Sequence, residues 1–247
     1  MATETQISDL VDRSKIIFLG TVRRLSASTV PSHTVTSHTV IVQVNRVFRA
    51  PQAIGNLSGE RVTVELTGGP GVRPGNQAVF FTNPLIYAAS IVVAETGRVV
   101  IPADLASRQA RVAEVANAIR RQPERQILSR AATADVVISG RVVSIRNVPR
   151  PPNQPISEHD PGWKEAVIDV QSVEAGLPMK RVSVLFPGST DVSWYAAPKF
   201  SVGQEGVWIL HQHTLPGLPP GYTALHPSDF HPKPRVNQIR ALMQGRR

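Results

Sequence analysis

The chain repeats itself, and a repeat dictates architecture before any local reading does. Glu4-Thr-Gln-Ile7 and Ser14-Lys-Ile-Ile-Phe-Leu-Gly-Thr-Val-Arg-Arg-Leu25 return 120 positions later as Glu124-Arg-Gln-Ile127 and Ala134-Asp-Val-Val-Ile-Ser-Gly-Arg-Val-Val-Ser-Ile145. Both copies place a glycine after the apolar run, Gly20 and Gly140. Thr39–Val47 matches Glu165–Val173 at an offset of 126, Arg61–Val64 matches Arg181–Val184 at 120, and Val72–Phe81 matches Phe200–Ile209 at 128. Offsets change only where Pro and Gly cluster, as expected when two copies of one module differ in their loops. Each copy ends in a helical pattern, Asp104 to Gln122 and Arg235 to Gln244. The first meets Pro123, which predicts a helix end there. Two domains are expected, 1–123 and 124–247.

Within a copy, β-branched residues alternate with a period of two. Val40, Val42 and Val44 share one face, as do Val182 and Val184. Turns such as Thr67-Gly-Gly-Pro-Gly71 and Phe186-Pro-Gly-Ser-Thr190 separate the runs. About five strands per copy result, preceded by a short helix and followed by a longer one. Five short strands in a module of this size remove their exposed edges most cheaply by closing into a small barrel. The expected fold is mainly β with flanking helices, an α+β arrangement of two tandem OB-like five-stranded β-barrels.

Ala134-Asp-Val-Val-Ile-Ser-Gly-Arg-Val142, Val167-Ile-Asp-Val170, Val182-Ser-Val184 and Val202-Gly-Gln-Glu-Gly-Val-Trp-Ile-Leu210 resemble the netrin-like module of tissue inhibitors of metalloproteinases. The resemblance covers most of the second copy and, more faintly, the first. It implies an OB-type barrel. The inhibitory activity of that family depends on an N-terminal Cys that reaches a catalytic zinc and on a disulfide frame, and this chain has no Cys. The resemblance therefore implies the barrel and not the activity.

Zero Cys also excludes thiolate zinc sites, Cys nucleophiles and disulfide scaffolds. Glu4, Asp9 and Asp12 precede the first short apolar run, unlike the basic start of a signal peptide, and no apolar stretch approaches the ~18 residues of a membrane span. A cytoplasmic protein is the expectation. There is no Gly-x-Ser-x-Gly elbow, and Gly68-Gly-Pro-Gly71 lacks the Lys-Ser/Thr of a phosphate-binding loop. The acids are scattered singly, so no carboxylate pair is implied, and no cofactor is expected.

Three groups of residues remain as site candidates. His211 and His213 have the spacing that puts two imidazoles on one strand face, and His226, Asp229 or His231 could complete a metal site. Positive charge is the second. There are 13 Lys+Arg against 8 Asp+Glu in the first copy and 14 against 10 in the second, with Arg clustered at Arg23, Arg24, Arg46 and Arg49, and placed at Arg141 and Arg146. Arginine pairs with phosphates and stacks on bases, so single-stranded nucleic acid is a candidate partner. Aromatic residues, the stacking platforms of such sites, make up only 5% of the chain, and Phe18, Phe80, Phe81 and Trp208 pattern as core. The third group lies in the loops of the second copy. Pro151 and Pro152 belong to a Pro-rich insertion next to Trp163, and Trp194 and Tyr195 sit in another. Stiff Pro-rich segments beside Trp and Tyr are typical of protein contacts. The expected function is a non-enzymatic adaptor or assembly protein that binds a protein partner through these loops. Single-stranded nucleic-acid binding is the alternative, and oligomeric assembly is compatible with either.

Overall fold

A computed structural model describes residues 3–69, 71–87, 90–149, 159–191, 193–214, 218 and 220–244. The chain divides into two compact units, Met1–Gln122 and Pro123–Arg247. It is mainly β and forms the two tandem barrels with flanking helices that the repeat implies.

The first unit opens with α1 (Glu4–Arg13), started by a capping box in which the Thr3 hydroxyl accepts from the Gln6 backbone and the Gln6 side chain accepts from Thr3. Ile7 and Val11, four apart, are its buried face. Strands β1 (Ile16–Leu25), β2 (Thr39–Arg49), β3 (Arg61–Glu65), β4 (Gln77–Tyr87) and β5 (Ile91–Val100) follow. They close into a barrel in the order β1-β2-β3-β5-β4, with β3 and β5 parallel and the other pairs antiparallel. Phe18, Val42, Val62, Val64, Phe80 and Val93 are among the residues filling it. Outside, Ile7 and Val11 of α1 pack with Ile17, Val79, Phe81 and Val99 and with Val115 and Ala118 of helix α2 (Leu105–Thr133).

The second unit repeats the plan with β6 (Val136–Asn147), β7 (Trp163–Ala175), β8 (Arg181–Pro187), β9 (Glu205–His213) and the short β10 (Gly221–Thr223). β10 pairs parallel with β8 and antiparallel with β9, which closes the ring, and β11 (Phe230–Pro232) lies along β9. Trp208, Phe186, Phe200 and Phe230 form a connected aromatic cluster in the core. The residues of α2 from Pro123 onward, with Ile127 buried, and helix α3 (Val236–Gln244), with Ile239 buried, cover the outer face at Val137, Val207 and Ile209.

Corresponding strands match pair by pair. Gly20 faces Val44 and Gly140 faces Val170, and Val42 faces Val62 where Ile168 faces Val182. The β1–β2 ladder shifts register at Ile17/Phe18, Leu19/Gly20 and Val22/Arg24, and the β6–β7 ladder does so at Val137/Ile138, Ser139/Gly140 and Val142/Ser144. Such bulges bend a strand and increase its twist, which a small barrel requires.

Two features depart from the sequence reading. The helix expected to stop at Gln122 continues through Pro123 to Thr133. Pro removes one backbone donor there, but the turns on either side are each anchored to a core, through Val115 and Ala118 before it and Ile127 after it. The single β5 strand of the first unit is represented in the second by two pieces, β10 and β11, separated by Ala224–Asp229 with a 3-10 turn at Pro227–Asp229.

The repeated glycine has a steric reason. A Cβ on Gly140 would stand 2.4 Å from the Asp169 carbonyl oxygen and 2.9 Å from Ile168 Cγ2, whereas one on Gly20 would meet the Val42 side chain at 2.3 Å. Backbone yields less than a side chain. Gly140→Ala should therefore cost more than Gly20→Ala in urea unfolding, with about 1–3 kcal/mol expected for such overpacking. Equal and negligible losses would show that close approach at the bulge is not what selects glycine.

Candidate functional site

The described residues on the outward face of the second and third strands differ between the two units. In the first, Thr39, Thr63 and Ile41 point away from the barrel interior yet are 0%, 0% and 7% exposed. The β1–β2 loop covers them. Thr29 donates its backbone N–H to Thr63 Oγ1 at 2.8 Å, its hydroxyl lies 2.8 Å from Thr63 Oγ1 and 2.7 Å from Ser90 Oγ, and Ser28 Oγ lies 3.2 Å from Thr63 Oγ1. His33 Nε2 is 2.6 Å from Glu65 Oε1, which also accepts from the Thr39 hydroxyl at 2.9 Å. Val30 is buried in the same loop.

At the matched positions of the second unit, Glu165 and Val167 are half-buried and Ser183 is exposed. A groove of about 270 Å³ opens there, walled by Val148, Pro149, Leu185, Leu218, Pro220 and Tyr222. Arg146, Glu165 and Ser183 also line it. Burial pushes the Glu165 carboxyl up, but hydrogen bonds from Arg146 and Ser183 outweigh this and hold it below the ordinary carboxylate range. The groove's charges are thus neutralised between themselves, and its walls are mostly apolar. Sequence reasoning missed Leu185, Leu218 and Tyr222. The signal for Leu185 was present in the β8 alternation, where Val182 and Val184 face the core and a leucine is left facing out.

The loop aromatics are organised locally. Trp163 and Trp194 meet edge to face with ring centroids 5.7 Å apart, and Trp194 Nε1 donates to the His159 carbonyl at 2.7 Å. His159 Nδ1 lies 3.0 Å from Asp191 Oδ1. Gly188 and Ser189 donate backbone N–H groups to the Gly162 and Pro161 carbonyls. Trp163 and Trp194 therefore tie two loops together, while Tyr195 beside them is 69% exposed. Pro151 and Pro152 lie outside the described residues.

The arginine candidates separate into different roles. Arg23 and Arg24 are exposed at the end of β1, and Arg46 is exposed with its guanidinium 5.0 Å from the Phe48 ring centroid. Arg49 points inward, donating to the Val11 and Ser14 carbonyls and to Gln122, which fastens α1 and α2 to β2. Arg146 pairs with Glu165, and the exposed Arg141 stands opposite Asp169, which also accepts from Arg181 at 2.6 Å. The second barrel's face carries charges of both signs.

The histidine end is built around Asp229. Fully buried, it accepts from Arg130 Nε and Nη2 on one oxygen and from the Leu225 and His226 backbone on the other. His226 Nδ1 accepts from Ser228 N, and His231 Nε2 lies 3.0 Å from the Ser228 carbonyl. Among the described residues no group of three His, Asp or Glu side chains is arranged to hold a metal ion. His211 and His213 are one buried and one exposed, and buried His211 Nε2 has no hydrogen-bond partner. The cluster fastens the break between β10 and β11.

Burial lowers the affinity of His211, His226 and His231 for a proton; Arg130 adds to this at the first two and Arg235 at the third, while Asp229 opposes it at all three. At His211, Asp135 also opposes the shift and His213 adds to it. The unfolded chain takes up protons near ~6.5, so stability is full above that pH and declines as pH falls into the range below it. A thermal-unfolding series from pH 7.5 to 5 should show Tm dropping before the carboxylates titrate, and a flat Tm would refute it. Asp229→Ala leaves Arg130 and two backbone donors unpaired and should cost about 3 kcal/mol in urea unfolding. Asp169→Ala, which breaks a solvent-exposed pair with Arg181, should cost less than about 1 kcal/mol in the same assay.

Comparison with protein-family models returns no match, and comparison with curated proteins returns none either.

Proposed function

We propose that the protein is a non-enzymatic adaptor or assembly component that binds another protein through the second barrel. The observation that carries this reading is the outward face of β7, β8 and β10, where among the described residues Val148, Pro149, Leu185, Leu218, Pro220 and Tyr222 form apolar walls and Leu185 stands at the position of Glu65 in the first barrel. An apolar centre rimmed by self-paired charges fits the anatomy of protein contacts. Strand order, with its parallel third and fifth strands, supports an OB-type barrel; in that fold the face bearing the second and third strands recurrently binds oligonucleotides and oligosaccharides, so the protein reading rests on the apolar lining and not on the fold. Tyr195 is a second exposed candidate contact, on a loop held by the Trp163–Trp194 pair.

A second reading, single-stranded nucleic acid, rests on the exposed Arg23, Arg24 and Arg46 of the first barrel. Against it, Arg146 and Arg181 on the second barrel's face are already paired with Glu165 and Asp169, which weakens their pull on a phosphate backbone.

Affinity capture with the full chain from its native cells, run beside Leu185→Asp and Tyr195→Ala, tests the reading. Leu185→Asp places a charge in the groove without touching the core and should reduce recovery of a bound protein about tenfold or more. Undiminished recovery with both variants would overturn the placement. Nuclease-sensitive recovery, together with oligonucleotide binding at ~50 mM salt that weakens steeply as salt rises, would instead favour the second reading.

A further inference from the structure

One outward row of residues, matched strand for strand, carries different charge in the two barrels. In the second, Glu205, Arg141, Asp169 and Arg181 stand side by side across β9, β6, β7 and β8. Their charges cancel, with Arg181 Nε 2.6 Å from Asp169 Oδ1 and Glu205 also paired with Lys233. In the first, the same row across β4, β1, β2 and β3 reads Gln77, Thr21, Gln43 and Arg61. Glutamines stand where the second barrel has carboxylates, and Arg61 Nε lies 3.5 Å from the neutral Gln43 amide oxygen.

More cations gather around this row. The register shift between Val22 and Arg24 sets Arg24 opposite Ile41, the next outward residue of β2 from Gln43, with Arg23 in the bulge. The turn bearing Arg73 is bonded to the same strand, since Val22 N–H donates to the Asn76 carbonyl and Gly75 N–H to the Val22 carbonyl. Arg23, Arg24, Arg61 and Arg73 are exposed, and among the described residues none has a carboxylate partner. At the positions of Arg23, Arg24 and Arg73 the second copy has the uncharged Val143, Ser144 and Ser201. Within stretches 20–25, 42–45, 59–62 and 72–77 the only acid is the exposed Glu60, so positive charge prevails.

We propose that this face of the first barrel binds an acidic, extended segment of another polypeptide, whose carboxylates pair with Arg23, Arg24, Arg61 and Arg73. The guanidinium fork matches a carboxylate, and arginine clusters are a recurrent means of holding acidic motifs. Arg181, the counterpart of Arg61, makes that pairing on Asp169. No aromatic residue lies in the four stretches, so nucleobases would find no ring to stack on, which favours a polypeptide over a single-stranded nucleic acid. None of these residues lines the groove of the second barrel, so the proposal goes beyond the reading above and stands or falls separately from it.

The probe is a rhodamine-labelled decapeptide of alternating Glu and Ser. It is titrated against the full chain by anisotropy at about 100 mM salt, where charges more than roughly 10 Å apart are largely screened. It should bind saturably, and its Gln-Ser counterpart should not. Arg23→Ala/Arg61→Ala removes two cations, and Gln43→Asp/Gln77→Glu rebuilds the carboxylates of the second barrel; each should weaken binding about fivefold or more. Lys15→Glu makes the same change in net charge just before β1, at the other end of that strand from Arg23, and should stay within about twofold of the wild type. All three variants should keep the wild-type circular dichroism.

Absence of saturable binding overturns the proposal, as does an unmoved affinity in either double variant. Equal loss with Lys15→Glu would assign the binding to net charge and overturn a defined face. An oligothymidylate that binds more tightly than the Glu-Ser peptide, and is lost in the same double variants, would assign the face to a phosphate backbone and overturn an acidic polypeptide.

Discussion

Each barrel depends on a first strand paired along both edges and bent at one glycine. β1 joins β2 and β4, and β6 joins β7 and β9, so neither ring closes unless this strand curves. Curvature comes from the bulges flanking Gly20 and Gly140, where the neighbouring strand comes too close for a side chain. With that bend in place, alternate residues divide cleanly between the interior and an outer face, and the outer face at β1 and β4, or β6 and β9, is where the helices pack.

On this shared scaffold the copies have diverged by exchanging what covers the surface. Val99, buried beneath the helices of the first unit, corresponds in its pairing to His231, which faces Val207 as Val99 faces Val79. A polar residue at such a place must be satisfied, and the Ala224–Asp229 segment supplies the Ser228 carbonyl that does so. The opposite exchange occurs at Glu65 and Leu185, where a hydrogen-bonded carboxylate under a loop becomes an aliphatic wall of a groove. One copy lays its own loop over hydroxyls and a carboxylate on this face; the other lines the same face with apolar side chains among its described residues.

The fold was legible because duplication samples the same structural problem twice. Gly20 with Gly140, and the valine alternation of β2 with that of β7, mark the bulge and the inward face independently. Closure was expected, but the strand that closes the second ring was less accessible, because β10 is three residues long and falls among Pro and Gly that read as loop. The helix through Pro123 was misread for a related reason: local chemistry favours a stop, and only tertiary anchoring at Ile127 keeps the following turn helical. At the site, Trp194 and Arg49 were recognised by type but not by role. A tryptophan in a loop and an arginine on a strand look available in sequence, and only coordinates show the His159 carbonyl or the Val11 and Ser14 carbonyls that engage them. Asp229 was considered as a ligand; Arg130, almost a hundred residues earlier, is what it serves.

The brevity of β10 carries a thermodynamic consequence. Among the described residues β10 joins β8 through two register pairs, Tyr222 with Val184 and Thr223 with Leu185, continued by Ala224 N–H donating to the Leu185 carbonyl, against three register pairs in the first barrel, and Leu185 and Tyr222 of this seam also wall the groove. Any ligand that touches both β8 and β10 would rivet that seam. Occupancy and resistance to opening are then linked quantities, and protection of the β8 and β10 amides from hydrogen exchange becomes a gauge of how much of the protein is engaged.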